Sequence, residues 1–237
     1  MANQYFKFKK FIINQNNCAM KVGTDGVLIG AWSDCKNATK ILDIGTGTGL
    51  ISLMMAQRSN AVIDSVEIDK NSFFQAKENI LNSNWKNRIN IFNISFQNFK
   101  KNKSNIYDLI VTNPPYFINS QKANTVERTN ARHNNLLPHS ELLAGADRLL
   151  TENGLFCLIL PIEQIENFIK LANEYNLFCT KLLKVKPKAE KDPKRALIEF
   201  RREKNKYEEQ TLIIEKDKRH DYTEQYKNLI KNFYLNF

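Results

Sequence analysis

The chain has 237 residues, 42% hydrophobic and 11% aromatic, with 35 Lys+Arg against 25 Asp+Glu for a formal charge of +10. That length suits one large α/β domain, or a domain with a small appendage, and the apolar content excludes disorder as the state of the whole chain. No apolar run approaches the roughly 18 residues that span a bilayer, and no apolar stretch with a cleavage site opens the sequence.

Tyr5–Ile13 alternates aromatic residues with lysines and then runs apolar, the pattern of a short strand or hairpin. From Lys40 the pattern becomes strand–helix–strand. Lys40–Ile44 is an apolar run that ends in Gly45-Thr46-Gly47-Thr48-Gly49, and Leu50–Arg58 has helical spacing. Ala61–Ile68 reads as the second strand, and Asn71–Leu81 as a helix with Phe74, Ala76 and Ile80 among its apolar positions. Ile89–Ile94 and Tyr107–Thr112 are the next strands, the latter stopped by Pro114-Pro115. The polar stretch Ile118–Asn135 reads as a long loop, Pro138–Leu150 as a helix, Gly154 as a turn, and Leu155–Leu160 as a strand ended by Pro161. Glu163–Glu174 is a helix, Leu177–Val185 and Arg195–Arg201 are strands flanking a basic loop, Thr211–Ile214 is a further strand, and Tyr222–Tyr234 an amphipathic helix. Residues 1–39 therefore read as a strand-and-turn extension packed on an α/β unit over 40–237, the whole forming one globular body.

Apolar strands alternating with helices imply a parallel sheet covered on both faces, with ligands bound beyond the carboxyl ends of its strands. The four cysteines (Cys18, Cys35, Cys157, Cys179) lie far apart with no CxxC pair. Reduced thiols in a cytoplasmic protein are expected, and neither zinc nor a disulfide framework is. A pI near 9.4 with interspersed acids permits a nucleic-acid partner without demanding one.

Asp43-Ile44-Gly45-Thr46-Gly47-Thr48-Gly49 closes the first strand and opens the first helix. The dinucleotide fingerprint GxGxxG would put its third glycine at position 50, where this chain has Leu, and no Gly-Lys-Ser/Thr follows to cradle a phosphate. The loop resembles the cofactor loop of class I S-adenosylmethionine-dependent methyltransferases. That resemblance implies a Rossmann-like α/β fold with a mostly parallel seven-stranded sheet, S-adenosyl-L-methionine as cofactor, and contacts from Asp43, Gly45, Gly47 and Gly49. Glu67, at the end of the second strand, has the position and chemistry to accept both ribose hydroxyl protons; NAD sites use the same device, so Glu67 alone does not separate the two. Asp69 competes for that role, and Ser95 and Phe96, after the third strand, are placed to neighbour the adenine, with a core position the alternative for Phe96.

Asn113-Pro114-Pro115-Tyr116 follows the fourth strand, and its two prolines hold the backbone extended so that oxygen acceptors keep a fixed geometry. The tetrapeptide resembles the NPPY motif of methyltransferases that act on planar amino groups, either adenine N6 or the glutamine side chain of release factors. In that chemistry the Asn113 side-chain oxygen and the Pro114 carbonyl accept the amine protons as the nitrogen turns tetrahedral, and Tyr116 stacks on the base.

A third block is more specific. Phe6-Lys7-Phe8-Lys9-Lys10-Phe11, Gln15 and Ala19-Met20-Lys21-Val22-Gly23-Thr24-Asp25-Gly26-Val27-Leu28-Ile29-Gly30-Ala31-Trp32, together with Phe117 after NPPY and Ala131-Arg132-His133, resemble the bacterial tRNA1(Val) (adenine(37)-N6)-methyltransferase family. The resemblance runs from about Phe6 to Phe200, with Asn16 standing where an acid is expected. It implies that Lys21, Thr24 and Asp25 border the cofactor, that Arg128, Arg132 and His133 lie in a loop over the pocket, and that the partner is tRNA. Lys184, Lys186, Lys188, Lys191, Lys194 and Arg195 then form a basic loop placed to hold phosphates. A monomer fits these features, and no metal or membrane is implied. Release-factor glutamine methyltransferases share both motifs but carry a helical recognition domain ahead of the catalytic one, whereas the 39 residues here read as strand and turn. The rRNA guanine-N2 methyltransferases normally have a duplicated catalytic domain, which this chain lacks.

Overall fold

The computed structural model describes residues 3–18, 20–101, 103–114 and 137–236. Five strands, β3 (Lys40–Ile44), β4 (Val62–Glu67), β5 (Ile89–Asn93), β6 (Tyr107–Thr112) and β7 (Leu150–Pro161), run parallel in the spatial order β7-β6-β3-β4-β5. Beside β7 lies β9 (Arg195–Arg201), antiparallel to it and to β8 (Phe178–Lys186), and β10 (Glu208–Ile213) adds a parallel edge to β8. Among the described residues the main sheet therefore has eight strands rather than the expected seven. The extra edge strand starts earlier than the apolar pattern of Thr211–Ile214 suggests. Its first four residues are exposed and polar, as suits an edge that must not recruit another chain.

Alternate residues of the central strands feed two apolar layers, one on each sheet face. Ile41, Ile63, Leu109 and Val111 join α1 (Thr24–Trp32), α2 (Leu50–Arg58) and α7 (Glu224–Ile230) on one side. Leu42, Ile44, Val66 and Ile110 join α4 (Phe96–Phe99), α5 (His139–Leu149) and α6 (Ile165–Asn173) on the other. The amphipathic α3 (Lys70–Leu81) follows β4 and packs against β5. Among the described residues no helix is long and apolar enough to cross a membrane. All four cysteines are free thiols.

Several local expectations change. Residues 1–39 are not only strand and turn: α1 is a nine-residue helix buried from Gly26 to Ala31. Its two glycines and all-round apolarity hide any helical period. A Cβ on Gly30 would come within 2.6 Å of Met54 Sδ, so the glycine is what lets α1 approach α2. Phe74, expected on the apolar face of α3, is 52% exposed. Gly154 is not a free turn: α5 ends at Leu149, and β7 begins at once and passes through a register shift against β6 before Leu155.

A hairpin of β1 (Tyr5–Lys7) and β2 (Ile12–Asn14) lies outside the main sheet, as its sequence pattern predicts. Phe8 stacks on Phe11, Phe6 and Phe8 both meet the Tyr234 ring edge-on, and Lys9 donates from its amide to Phe233 O and from Nζ to Lys231 O. Phe8, Phe11 and Ile13 are buried in the same apolar layer as α1 and α2.

β3 and β6 are fastened at both ends. At the lower edge the Asp108 carboxylate accepts from Thr39 N, Thr39 Oγ1 and Lys40 N at 2.6–3.1 Å. At the upper edge Thr112 Oγ1 donates to Ile44 O at 2.8 Å. On the far sheet face, a Cβ on Gly145 of α5 would lie 2.3 Å from the Phe96 ring. Gly145→Ala should therefore overpack this layer and lower stability by about 1–3 kcal/mol. Urea unfolding checks this, and adding Phe96→Leu should make the double variant less unstable than the sum of the two single changes.

Candidate active site

The turn from β3 into α2 is built around three glycines with positive φ: Gly45 at 72°, Gly47 at 56° and Gly49 at 82°. A side chain would strain each of these positions. A Cβ on Gly45 or Gly47 would meet no described residue within 4 Å, so among the described residues the turn is open on that side, while Gly49 packs against Ala76 of α3. Gly45 N and Thr46 N donate to Val66 O. Gly47 N donates to Glu67 Oε2 at 2.9 Å, and Thr48 O accepts from Asn79 Nδ2 at 2.8 Å.

Asp43 anchors this turn from below. It is fully buried, and its Oδ2 accepts from Thr46 Oγ1 at 2.6 Å, Ser52 Oγ at 2.6 Å and Ser52 N at 3.1 Å. Among the described residues its Oδ1 has no hydrogen-bond partner. Burial pushes the Asp43 carboxyl up to about 6, aided by the charge of Glu67 and opposed by the bonds from Ser52 and Thr46.

Glu67 ends β4 and is 8% exposed. Its two oxygens accept from Gly47 N and, at 2.8 Å, from Asp69 N. A carboxylate offers about four lone-pair sites, so both oxygens can still receive ligand hydroxyls. Asp69, its competitor in sequence, instead caps α3 by accepting from Ser72 N. Ser95 is likewise the cap of α4. The Phe96 ring is 4% exposed and packs with Gly145 and the α5 layer, so burial in the core takes the side chain expected beside the adenine.

Asn113 and Pro114 leave β6 directly beside this turn, because Asp43 and Ile44 of β3 pair with Val111 and Thr112 of β6. Asn113 is half-buried and Pro114 buried. Pro115, Tyr116, Arg128, Arg132 and His133 lie outside the described residues.

The segment before α1 runs along the other side of the pocket. Lys21 is exposed and its Nζ donates to Gln15 O; Thr24 is exposed at the start of α1. Cys18 lies nearer: its thiol sits beside Ser72 and within electrostatic reach of Glu67, Lys21 and Asp69, and burial pushes its pKa up. Sequence reasoning did not single out Cys18, Ser72, Gln75 or Asn79. A signal was present in the last three, which repeat on one face of α3 at helical spacing.

The basic cluster is only partly a loop. Lys184 and Lys186 belong to β8, where Lys184 pairs with Glu209 at 2.5 Å and Lys186 Nζ donates to Ala189 O. Lys188 Nζ donates to Asp217 O at 2.7 Å. Arg195 opens β9 and pairs with Asp25 at 3.0 Å, so one ion pair joins residues expected to serve cofactor and RNA separately. Lys191 and Lys194 are exposed. Because β9 runs antiparallel to β7, with Arg195 opposite Pro161, the connection from Lys186 to Arg195 lies at the same sheet edge as the glycine turn and Asn113. Among the described residues no group of three His, Cys, Asp or Glu side chains could hold a metal ion.

Residues 24–171 match the family model described as the methyltransferase small domain. The chain is 47% identical over 240 aligned positions to the tRNA1(Val) (adenine(37)-N6)-methyltransferase of Trichodesmium erythraeum, covering the whole of both chains. It is 45% identical to the protein of the same name from Flavobacterium psychrophilum, covering 97% of this chain and 99% of that one. The chain belongs to this methyltransferase family. A solved structure of a predicted O-methyltransferase from Agrobacterium tumefaciens superposes with a TM-score of 0.70 at 15% identity, covering 88% of this chain and 96% of that one, which establishes the shared methyltransferase fold.

In this methyltransferase the buried Asp43 gives a pH signature. Its folded pKa lies above that of an unfolded aspartate, so the native state holds the proton more tightly. The stability from this site is full below about pH 4 and is lost as pH rises through about 6. In thermal melts from pH 4 to 8, Asp43→Asn should gain stability relative to the unsubstituted protein as pH rises to about 6, and the gap should stay level above it. A gap that does not change with pH would contradict this.

Proposed function

We propose that this chain is an S-adenosylmethionine-dependent enzyme that methylates N6 of an adenine in tRNA, with adenine 37 of tRNA1(Val), the target named for its relatives, as the substrate base. The observation that carries the reading is the β3–β6 register, which sets the open glycine turn beside Asn113-Pro114. The donor set fits the cofactor. Glu67 can take two hydroxyl protons, the space above Gly45 and Gly47 admits a ligand, and the orphaned Asp43 Oδ1 is a buried acceptor suited to a cationic donor. Bound there, S-adenosylmethionine supplies an electrophilic methyl group on a sulfonium.

The exocyclic amine of adenine is a poor nucleophile because its lone pair is conjugated into the ring. In this reading Asn113 Oδ1 and the Pro114 carbonyl accept its two N–H bonds, which favours the tetrahedral nitrogen of the transition state over the planar ground state. The nitrogen, made cationic on taking the methyl group, would release one of the two protons held at Asn113 Oδ1 and the Pro114 carbonyl to solvent, so no strong base is required of the chain. Tyr116 stacks on the extruded base, and Arg128, Arg132 and His133 border it. Residues 1–39 and 40–237 work as one unit in the cytoplasm. The helix found among residues 1–39 is buried, so it is unlike the free-standing recognition domain of a glutamine methyltransferase.

Lys188, Lys191 and Lys194 lie two to three strand positions from β6, about 10–15 Å across the sheet, a distance suited to phosphates flanking the target nucleotide. Arg195, paired with Asp25, ties the base of this connection to α1 and supports the lysines.

Incubation of tRNA with methyl-labelled cofactor, followed by mass spectrometry of its nucleosides, should yield labelled N6-methyladenosine. Asn113→Ala should lower the transfer rate by about 10²–10³-fold with cofactor affinity retained, and full activity in that variant would reject the mechanism. Neutralising Lys188, Lys191 and Lys194 together should weaken tRNA binding and reduce its salt dependence by about 0.7–0.9 in slope for each phosphate no longer neutralised.

A further inference from the structure

The inner face of α3 carries polar side chains where a core-facing helix normally carries apolar ones. Ser72, Gln75 and Asn79, at positions i, i+3 and i+7, are 8%, 2% and 2% exposed. All three meet one segment, Asn14 to Cys18. Asn79 Oδ1 accepts from Asn14 N at 2.9 Å, and its Nδ2 donates to Asn14 O and to Thr48 O, both at 2.8 Å. Gln75 Oε1 accepts from Asn17 N at 3.3 Å. Ser72 lies beside the Cys18 thiol. Gln15 closes the segment on itself, donating to Asn3 O and accepting from Val22 N, both at 2.8 Å, while its carbonyl receives Lys21 Nζ. The result is a strap laced to α3 whose Cys18 end lies within electrostatic reach of Glu67 and Asp69.

We propose that Ser72, Gln75 and Asn79 are positioning residues for the cofactor. They fix the register of the Asn14–Cys18 strap and of the Thr48 carbonyl, so that the wall of the pocket beside Glu67 keeps its shape. The proposal rests on the glycine turn being the S-adenosylmethionine site. An apolar row would hold the strap down without selecting a register, whereas hydrogen bonds to backbone N–H and C=O groups admit one alignment. Asn79 has a special place because a single amide touches both the strap and the glycine turn. Its loss would leave Asn14 N, Asn14 O and Thr48 O without this partner in a buried setting.

Gln75 Nε2 also donates to Glu78 Oε2 at 3.0 Å. The test therefore compares Asn79→Ala, Gln75→Ala and the exchange Gln75→Glu with Glu78→Gln, which keeps the acceptor for Asn17 N and reverses the bond to position 78, by three readouts. These are S-adenosylmethionine binding by calorimetry without RNA, kcat with both substrates saturating, and hydrogen exchange at the amides of Asn14, Asn17 and Val22. Asn79→Ala should raise the Kd about tenfold, and Gln75→Ala about threefold, with faster exchange in the strap and kcat within about twofold. The exchange variant should restore most of the affinity. If Asn79→Ala does not fold, the Gln75 pair decides. Unchanged Kd despite faster exchange, or a fall in kcat at unchanged Kd, overturns the proposal. Failure of the unsubstituted protein to bind S-adenosylmethionine overturns the cofactor reading itself, and with it the role given to the row.

Discussion

The buried carboxylate of Asp43 sits where β3 gives way to the glycine turn. One of its oxygens receives the Thr46 hydroxyl from within the turn, and the hydroxyl and backbone amide of Ser52 from the start of α2. Ser52, held by that oxygen, reaches on to Ser65 of β4 at 2.7 Å. The carboxylate thus couples the direction of α2, the path of the glycine turn and the neighbouring strand. Moving any of the three would strand a charged or polar group in the core, which costs more than any single apolar contact there. The remaining oxygen has no partner among the described residues, so the group that organises the turn also leaves buried acceptor capacity at its base.

From this point the strand ladder does the positioning. β4 brings Glu67 to one side of the turn and β6 brings Asn113 to the other, each through a parallel pairing to β3. These features were legible in the sequence because each leaves a local mark: a continuous apolar run for a strand buried on both faces, glycines where φ is positive, and prolines where the strand stops. The same logic explains what was hidden. α1 is apolar through its buried length and interrupted by Gly26 and Gly30, so it shows no helical period and only Leu28 and Ala31 favour a helix. The edge strand β10 is charged along its exposed half, and the start of β7 is displaced by a register shift that the sequence does not announce.

Roles that depend on partners distant in sequence were less legible still. Arg195 reads as one more cation in a basic stretch, yet it is bound to Asp25, 170 residues away. Asn79 and Gln75 carry no local mark of burial, yet they lie beneath a segment that precedes the sheet. Phe96 follows a strand end as a ligand-stacking residue would, but a glycine on α5 leaves room for its ring in the core. Residue type and local spacing are the same in either environment, and tertiary packing alone separates them.

The junction between Lys9 and the segment Lys231–Phe233 spans 222 residues of sequence. Closing a loop of that size carries an entropy cost before any contact rewards it, and during synthesis Lys231–Phe233 is made long after Lys9. The β1–β2 hairpin, which leads into the strap, therefore lacks this support throughout the time that β3 to β7 can already assemble. Maturation of the cofactor side of this protein is thus bound to the arrival of α7, so a segment made before the whole sheet becomes fixed only after it.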